Sequence, residues 1–300
     1  MKMKHLIIPT SSARHFFTFK LPALIPKNAE VVLPTGNKEG RYRFPDGEVY
    51  LRVPEAIHAS DVTIVHSGYP DPNDGLIELY MLLNVIGQYS QLRRLGLEVI
   101  FTAMPYARQD KAYYQGELNA AETLCKTLVR KYGVTQITTI DAHFANERWV
   151  KKLPIFNVSA SGMLIDAARR DRPGIIFMAP DAGSTRRAHI KGAKKIRKNS
   201  YEVQVSLGDE FSRMVKGRVV GVVDDILATG TTLERFYHET KKNGADKVFA
   251  LITHGVCQEG INRTRSLYDG LYLTNTINGP EANVPVNDLV WSLILKSIRH

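Results

Sequence analysis

Only two cysteines, Cys125 and Cys257, occur among the 300 residues, too few for a disulfide framework or a thiolate metal site. Both lie in apolar-periodic or strand-adjacent contexts, so both are expected to be buried thiols, as suits a reducing cytoplasm. No apolar run approaches the roughly 18 residues that would suggest a membrane span. The apolar part of Met1–Pro9 is too short for a secretory signal. A cytoplasmic chain with no membrane partner is therefore expected. Gly-x4-Gly-Lys-Ser/Thr and Gly-x-Gly-x-x-Gly are both missing, which excludes the P-loop and the dinucleotide-binding fingerprint. Zinc-finger spacing and RNP-type sequence are missing too, and no Gly/Ser-rich linker or low-complexity tract interrupts the chain.

What is present is globular in character, with 44% hydrophobic and 23% charged residues. The formal charge of +10 points to acidic partners. The cations are mostly dispersed, and the one dense cluster is Lys191 to Lys198. Small phosphorylated molecules, rather than nucleic acid, are the expected partners.

The most informative stretch is Val219-Val220-Gly221-Val222-Val223-Asp224-Asp225, followed by Ile226-Leu227-Ala228-Thr229-Gly230-Thr231-Thr232. Its apolar run reads as a strand buried on both faces of a parallel sheet, with the two carboxylates where the strand ends. A small-residue turn and a helix over 233–242, stopped by Asn243-Gly244, complete the unit. Turn amides and a helix N-terminus suit a phosphate, while the carboxylates suit vicinal hydroxyls or a divalent metal. The plainer alternative is a strand end followed by a helix capped by Thr231 or Thr232.

Taken in order, the chain predicts strands at Leu6–Pro9, Val31–Leu33 and Val62–Val65, with Thr10 to Ser12 capping a short helix over 13–19. Phe44-Pro45-Asp46-Gly47-Glu48 between extended segments has turn chemistry, which reads as a hairpin. A long amphipathic helix follows over 74–93. Three similar connections then appear around Gly96, Gly133 and Gly244, each read as a helix stopped at glycine and leading into a buried strand. This pattern predicts two related α/β halves, each a parallel sheet flanked by helices, divided between 153 and 154. The last helix, 286–298, is apolar on one face and is expected to dock, with the N-terminal half as one candidate.

Loops at the carboxyl ends of parallel strands carry ligands. Three further stretches fall there: Arg108-Gln109-Asp110-Lys111, Asp141-Ala142-His143, and Asp181-Ala182-Gly183-Ser184. Guanidinium, amide and ammonium side by side suit a nucleotide, while the acidic glycine turn suits a pyrophosphate held with magnesium. The Lys194–Lys198 cluster is a candidate clamp on a transferring group, or else a solvated face.

Together these stretches resemble the ribose-phosphate diphosphokinase (PRPP synthetase) family over nearly the whole chain. The resemblance implies two tandem phosphoribosyltransferase-like domains, in homo-oligomers built on dimers. The implied activity is Mg²⁺-dependent transfer of the β,γ-diphosphate of ATP to the anomeric hydroxyl of ribose 5-phosphate. It further implies that Phe44, Asp46, Glu48, Arg108, Gln109 and Asp110 bind ATP, the first three reaching the adenine of a neighbouring subunit. His143 and Asp181 are similar to the Mg²⁺ site. Asp224 and Asp225 match the residues that hold the ribose hydroxyls, and Ala228, Thr229, Gly230, Thr231 and Thr232 the loop around the 5-phosphate. Lys195 and Arg197 resemble the family's mobile catalytic pair, with His143 as the further catalytic group.

Three departures stand out. The segment between Asp181 and Lys195 is short, Thr231 replaces the usual Gly, and Asp141-Ala142-His143 replaces Asp-Leu-His. They leave room for a larger 5-substituted ribose, such as ADP-ribose, as acceptor. An inactive regulatory homologue and a phosphoribosyltransferase are the alternatives from other classes.

Overall fold

The computed structural model describes residues 4–18, 25–53, 59–90, 96–180, 196–197, 203–204 and 209–298. The chain forms two compact units, Met1–Val158 with Asn287–His300, and Ser159–Val286.

The first unit is built on strands β1 (Lys4–Pro9), β2 (Ala29–Val31), β3 (Ala59–Ser67), β4 (Gly96–Ala103), β5 (Gln136–Ile140) and β6 (Ile155–Val158). They form one sheet in the order β2-β1-β3-β4-β5-β6, with every neighbouring pair parallel. One face presents Leu6, Ile8, Val62, Ile64, Leu97, Val99 and Ile137 to helices α1 (Pro72–Ser90) and α2 (Ala120–Tyr132). Those helices answer with Leu79, Leu82, Leu83 and Ile86, and with Ala121, Leu124, Cys125 and Leu128. Each set repeats at i, i+3, i+4, i+7, so a helix carrying it shows one apolar stripe and buries it. Asn119 caps α2 by accepting from Glu122 N, and Gly133 ends it in the left-handed conformation at φ 69°. The opposite sheet face carries His5, Thr63, Glu98, Gln136 and Thr138 toward the strand starts and the buried Ile7, Val65 and Ile100 further along. The last helix of the chain, Asn287–Ile298, docks there through Ser297 Oγ on Thr63 Oγ1 at 2.8 Å.

In the second unit, helix α3 (Ser161–Asp171) precedes β7 (Ile176–Met178), the two-residue strands β8 (Ile196–Arg197) and β9 (Val203–Gln204), and α4 (Asp209–Val215). Next come β10 (Val219–Leu227), α5 (Thr231–Lys242), β11 (Lys247–Gly255), α6 (Gln258–Leu267) and β12 (Gly270–Leu273). The helix Asn287–Ile298 is α7. The sheet order is β12-β11-β10-β7, again parallel throughout. Both faces are covered. Val220, Val222, Val248 and Ala250 pack with Leu233 and Phe236, while Val223, Phe249 and Leu251 pack with Leu164 and Ile165. Gly221 is required by this packing, since a Cβ there would lie 2.8 Å from Phe177 Cδ1.

Several local expectations change. The second strand is Ala29–Val31 rather than 31–33, because β1 pairs with it through His5, Leu6 and Ile7. Thr10 does not cap the following 3-10 helix, Ser11–Phe17; its hydroxyl bonds His66 Nδ1 at 2.9 Å instead. Gly96 opens β4, and the residues before it lie outside those described. Cys125 is buried but Cys257 is exposed, because it sits at the N-cap of α6, past the end of β11. Periodicity around a strand end does not distinguish the last inward position from the first loop position.

Candidate functional site

In the first unit, β4 and β5 lead into loops that hold two non-glycine residues in the left-handed region, Tyr106 at φ 58° and Asp141 at φ 40°. Such backbone costs about 1–3 kcal/mol per residue and persists only where surrounding contacts impose it. For Asp141 those contacts come from β6 and its flank. Asp141 N donates to Val158 O at 2.8 Å, and Ala142 N to the Asn157 Oδ1 acceptor at 2.8 Å. For the other loop, Gln109 N donates to Tyr106 O at 3.0 Å, and Asn119 Nδ2 to Asp110 O at 2.7 Å.

The two loops meet. Lys111 Nζ lies 2.9 Å from Glu147 Oε1, and this bond raises the lysine pKa. Asp110 is 7% exposed. Burial pushes its carboxyl above the ordinary value, with the positive charges of His143 and Lys111 opposing that effect. Arg108 and Gln109 remain exposed and His143 is half-buried. The result is a partly desolvated carboxylate and an imidazole at the carboxyl ends of adjacent strands, flanked by accessible cations. One carboxylate and one imidazole are gathered here, and among the described residues no group of three or more His, Cys, Asp or Glu side chains could hold a metal ion. Asp181, the other expected metal ligand, lies outside the described residues.

Asp110 also yields a prediction. A carboxyl whose pKa is raised by folding binds protons more tightly when folded, so its ionisation lowers stability as pH rises from its unfolded value through its folded one. Asp110→Asn should therefore unfold at an equal or higher temperature than the parent at pH 7, while its advantage shrinks near pH 3. Thermal melts of both proteins across that range check this, and a lower melting temperature for the variant at pH 7 would refute it.

The Phe44–Glu48 segment is a hairpin. Arg43 bridges Val49, Phe44 N donates to Glu48 O at 2.8 Å, and Glu48 N donates to Asp46 Oδ1 at 3.1 Å. Gly47 supplies the left-handed φ of 97° that the turn requires. Arg43 pairs with Asp74, and Arg14 lies 4.2 Å over the Tyr42 ring, so the hairpin is anchored at its base while Phe44, Asp46 and Glu48 stay exposed.

In the second unit the acidic pair sits differently from expectation. Asp224 and Asp225 lie inside β10, which runs on to Leu227, because Asp224 is in register with Ile252, and Ile226 with His254. Successive strand positions face opposite ways, but Asp225 N donates to Asp224 Oδ1 at 3.0 Å, so the Asp224 carboxylate turns back over the backbone of its neighbour. Asp225 is buried at 6% exposure and Asp224 is half-buried. Tyr268 is pushed up mainly by burial and also by the negative charge of Asp224.

The turn after β10 is capped neither by Thr231 nor by Thr232. Gly230 is the N-cap of α5 at φ 81°, without a side-chain cap bond, and Glu234 N donates to its carbonyl at 2.8 Å. Thr229 and Thr231 hydroxyls lie 3.3 Å apart and both residues are exposed. The turn rests on α6, where a Cβ on Gly260 would fall 1.8 Å from Ala228 O. Gly260 was not among the expected site residues. The available signal was an isolated glycine inside a helical pattern, a choice that costs about 1 kcal/mol against alanine. Of the proposed cationic clamp, Arg197 lies in β8, with its backbone in register with Val203, and Lys195 lies outside the described residues.

Both units are parallel sheets flanked by helices, the architecture of phosphoribosyltransferase-like folds. The solved phosphoribosylpyrophosphate synthetase from Mycobacterium smegmatis superimposes with a TM-score of 0.77, covering 99% of each chain at 21% identity. A family model described as the N-terminal domain of ribose phosphate pyrophosphokinase matches residues 28–133. The ribose-phosphate pyrophosphokinase of Pyrococcus furiosus is 31% identical over 267 residues, spanning 84% of this chain and 90% of that protein. Its counterpart in Vibrio parahaemolyticus is 28% identical over 251 residues, 79% of this chain and 77% of that one. The chain belongs to the ribose-phosphate pyrophosphokinase family, a family of transferase enzymes. Among the described residues no helix is long and apolar enough to cross a membrane.

Proposed function

We propose that the protein moves the β,γ-diphosphate of ATP to the anomeric hydroxyl of a 5-phosphorylated ribose, releasing AMP. The observation that carries this reading is the β10–α5 unit. It offers a carboxylate pair, a glycine-capped helix start and a hydroxyl-lined turn on one continuous stretch. Asp224 and Asp225 hold the ribose 2- and 3-hydroxyls, and the amides and hydroxyls from Ala228 to Thr232 hold the 5-phosphate. Arg108 and Gln109 bind the nucleotide, beside Asp110. The anomeric oxygen attacks the β-phosphorus in line, and the bond from that phosphorus to the α-bridging oxygen breaks. Arg108, Lys195 and Arg197 offset the charge of the transferring group. His143 and Asp181 would hold magnesium, which would supply further charge neutralisation. The exposed Phe44, Asp46 and Glu48 serve a neighbouring copy's nucleotide in a homo-oligomer built on dimers.

A second reading concerns the acceptor only. Thr231 occupies the first turn of α5 and sets its hydroxyl beside that of Thr229, in the turn assigned to the 5-phosphate. A roomier 5-substituent, as in ADP-ribose, keeps the diphosphate chemistry and changes only this end. Coupled measurement of AMP release with Mg²⁺ and ATP, using ribose 5-phosphate and ADP-ribose side by side, decides between them. We expect magnesium-dependent AMP formation with at least one acceptor. A strong preference for ribose 5-phosphate removes the second reading, and no AMP with any ribosyl acceptor removes both.

A further inference from the structure

A cavity of about 590 Å³ lies in the first unit between the polar strand starts of one sheet face and helix α7. It opens at the amino-terminal ends of the strands, where Asp61, Gly96 and Gln136 stand at or near the start of β3, β4 and β5. The loops carrying Tyr106 and Asp141 leave the other end of the same strands. At about 3.3 Å per residue, the eight residues of β4 separate the two ends by roughly 20–25 Å. The cavity is therefore not part of the proposed catalytic site.

Its lining is organised. Glu98, 8% exposed, receives Gln136 Nε2 at 2.7 Å and Thr138 Oγ1 at 2.6 Å on Oε1. Asp61 accepts from Gly96 N at 3.2 Å. His5, Thr63 and Ser297 form a chain of side-chain hydrogen bonds, each 2.8 Å, that ties the sheet to α7. The sheet wall thus carries two carboxylates, while Lys296, in the last turn of α7, adds an ammonium to the helix wall. Leu293 and Phe156 supply apolar surface, and Phe156, on the edge strand β6, is 57% exposed. The volume is within the ordinary range of small-molecule sites, which are apolar with a few convergent polar groups.

We propose that this cavity binds a zwitterionic α-amino acid with an apolar side chain. Its ammonium meets Glu98 and Asp61, its carboxylate meets Lys296, and its side chain lies on Phe156 and Leu293. A lone amine would leave Lys296 unused, and a lone carboxylate would face two acids. Hydroxyls of Thr63, Thr135, Thr138 and Ser297 line the same cavity.

The test uses the full-length protein in thermal-shift and calorimetric titrations with each of the twenty common L-amino acids at millimolar concentration. Phenethylamine and 3-phenylpropionate serve as half-ligands. At least one apolar L-amino acid should bind and raise the melting temperature, with both half-ligands about tenfold weaker or worse, since each loses a charge-assisted contact. Lys296→Ala should weaken the amino acid about tenfold while leaving phenethylamine unchanged, and Glu98→Gln should weaken both. Lys296 lies on a partly exposed helix face, so its variant tests the site even if Glu98→Gln fails to fold. The proposal is overturned if no amino acid binds, or if binding is the same in the Lys296→Ala protein.

Discussion

Gly260→Ala is expected to lower both the stability of the second unit and the affinity for the ribosyl acceptor. A Cβ at this position would stand 1.8 Å from Ala228 O and 2.8 Å from Ala228 C, backbone atoms that no rotamer change can move. Either α6 shifts outward or the Ala228–Gly230 turn deforms. Overpacking of this kind costs about 1–3 kcal/mol and sometimes more. The turn is the proposed phosphate cradle, so KM for the acceptor should rise by more than KM for ATP. Gly162→Ala provides the control. That glycine lies in α3 with nothing within 4 Å of the added carbon, and its variant should gain ~0.4–1 kcal/mol through the unfolded chain. Urea unfolding of the three proteins, with acceptor and ATP titrations, checks both. Equal stabilities for the Gly260 and Gly162 variants would show that the close approach is not needed.

Asp224→Asn and Asp225→Asn should each reduce kcat/KM for the acceptor by about 10- to 100-fold, and the double variant by about 10²- to 10⁴-fold. The reasoning is that each carboxylate accepts a hydrogen bond from a ribose hydroxyl, and a bond to a charged group contributes about 1.5–3 kcal/mol. Both replacements are isosteric, so the core of β10 around Val220, Val222 and Val223 should keep its packing. Because consecutive strand positions face opposite ways, the two variants should not be equivalent. Asp224 lies close enough to Tyr268 to raise its pKa, so removing that charge should lower the tyrosine's titration midpoint, whereas Asp225→Asn should leave it nearer the parent value. Ultraviolet titration of the phenol separates these outcomes. Retention of acceptor kinetics within threefold in the double variant would remove the pair from the proposed site.

Much of the architecture is legible along the chain because hydrophobic periodicity is local. Leu79, Leu82, Leu83 and Ile86 announce the buried stripe of α1, and Val219 to Val223 announce a strand covered on both faces. The left-handed stop at Gly133 is equally local, since glycine alone adopts that conformation at little cost. The ordered motifs likewise pointed to the family to which the chain belongs.

Tertiary structure decided what depends on partners distant in sequence. Asp224 and Asp225 read as the end of a strand because charge follows an apolar run. Pairing with Ile252 and His254 on β11 carries the strand past them to Leu227. Asp110 and His143 are 33 residues apart, and only the adjacency of β4 and β5 lets one charge act on the other. Gly260 is a weak signal until α6 is seen against Ala228. The sheet face that meets α7 through Thr63 and Ser297 joins positions 234 residues apart. Residue type and spacing determined which segments fold and which loops can carry phosphate chemistry. Which of those loops meet, and which surfaces stay open, depends on contacts between strands and helices that no local pattern encodes.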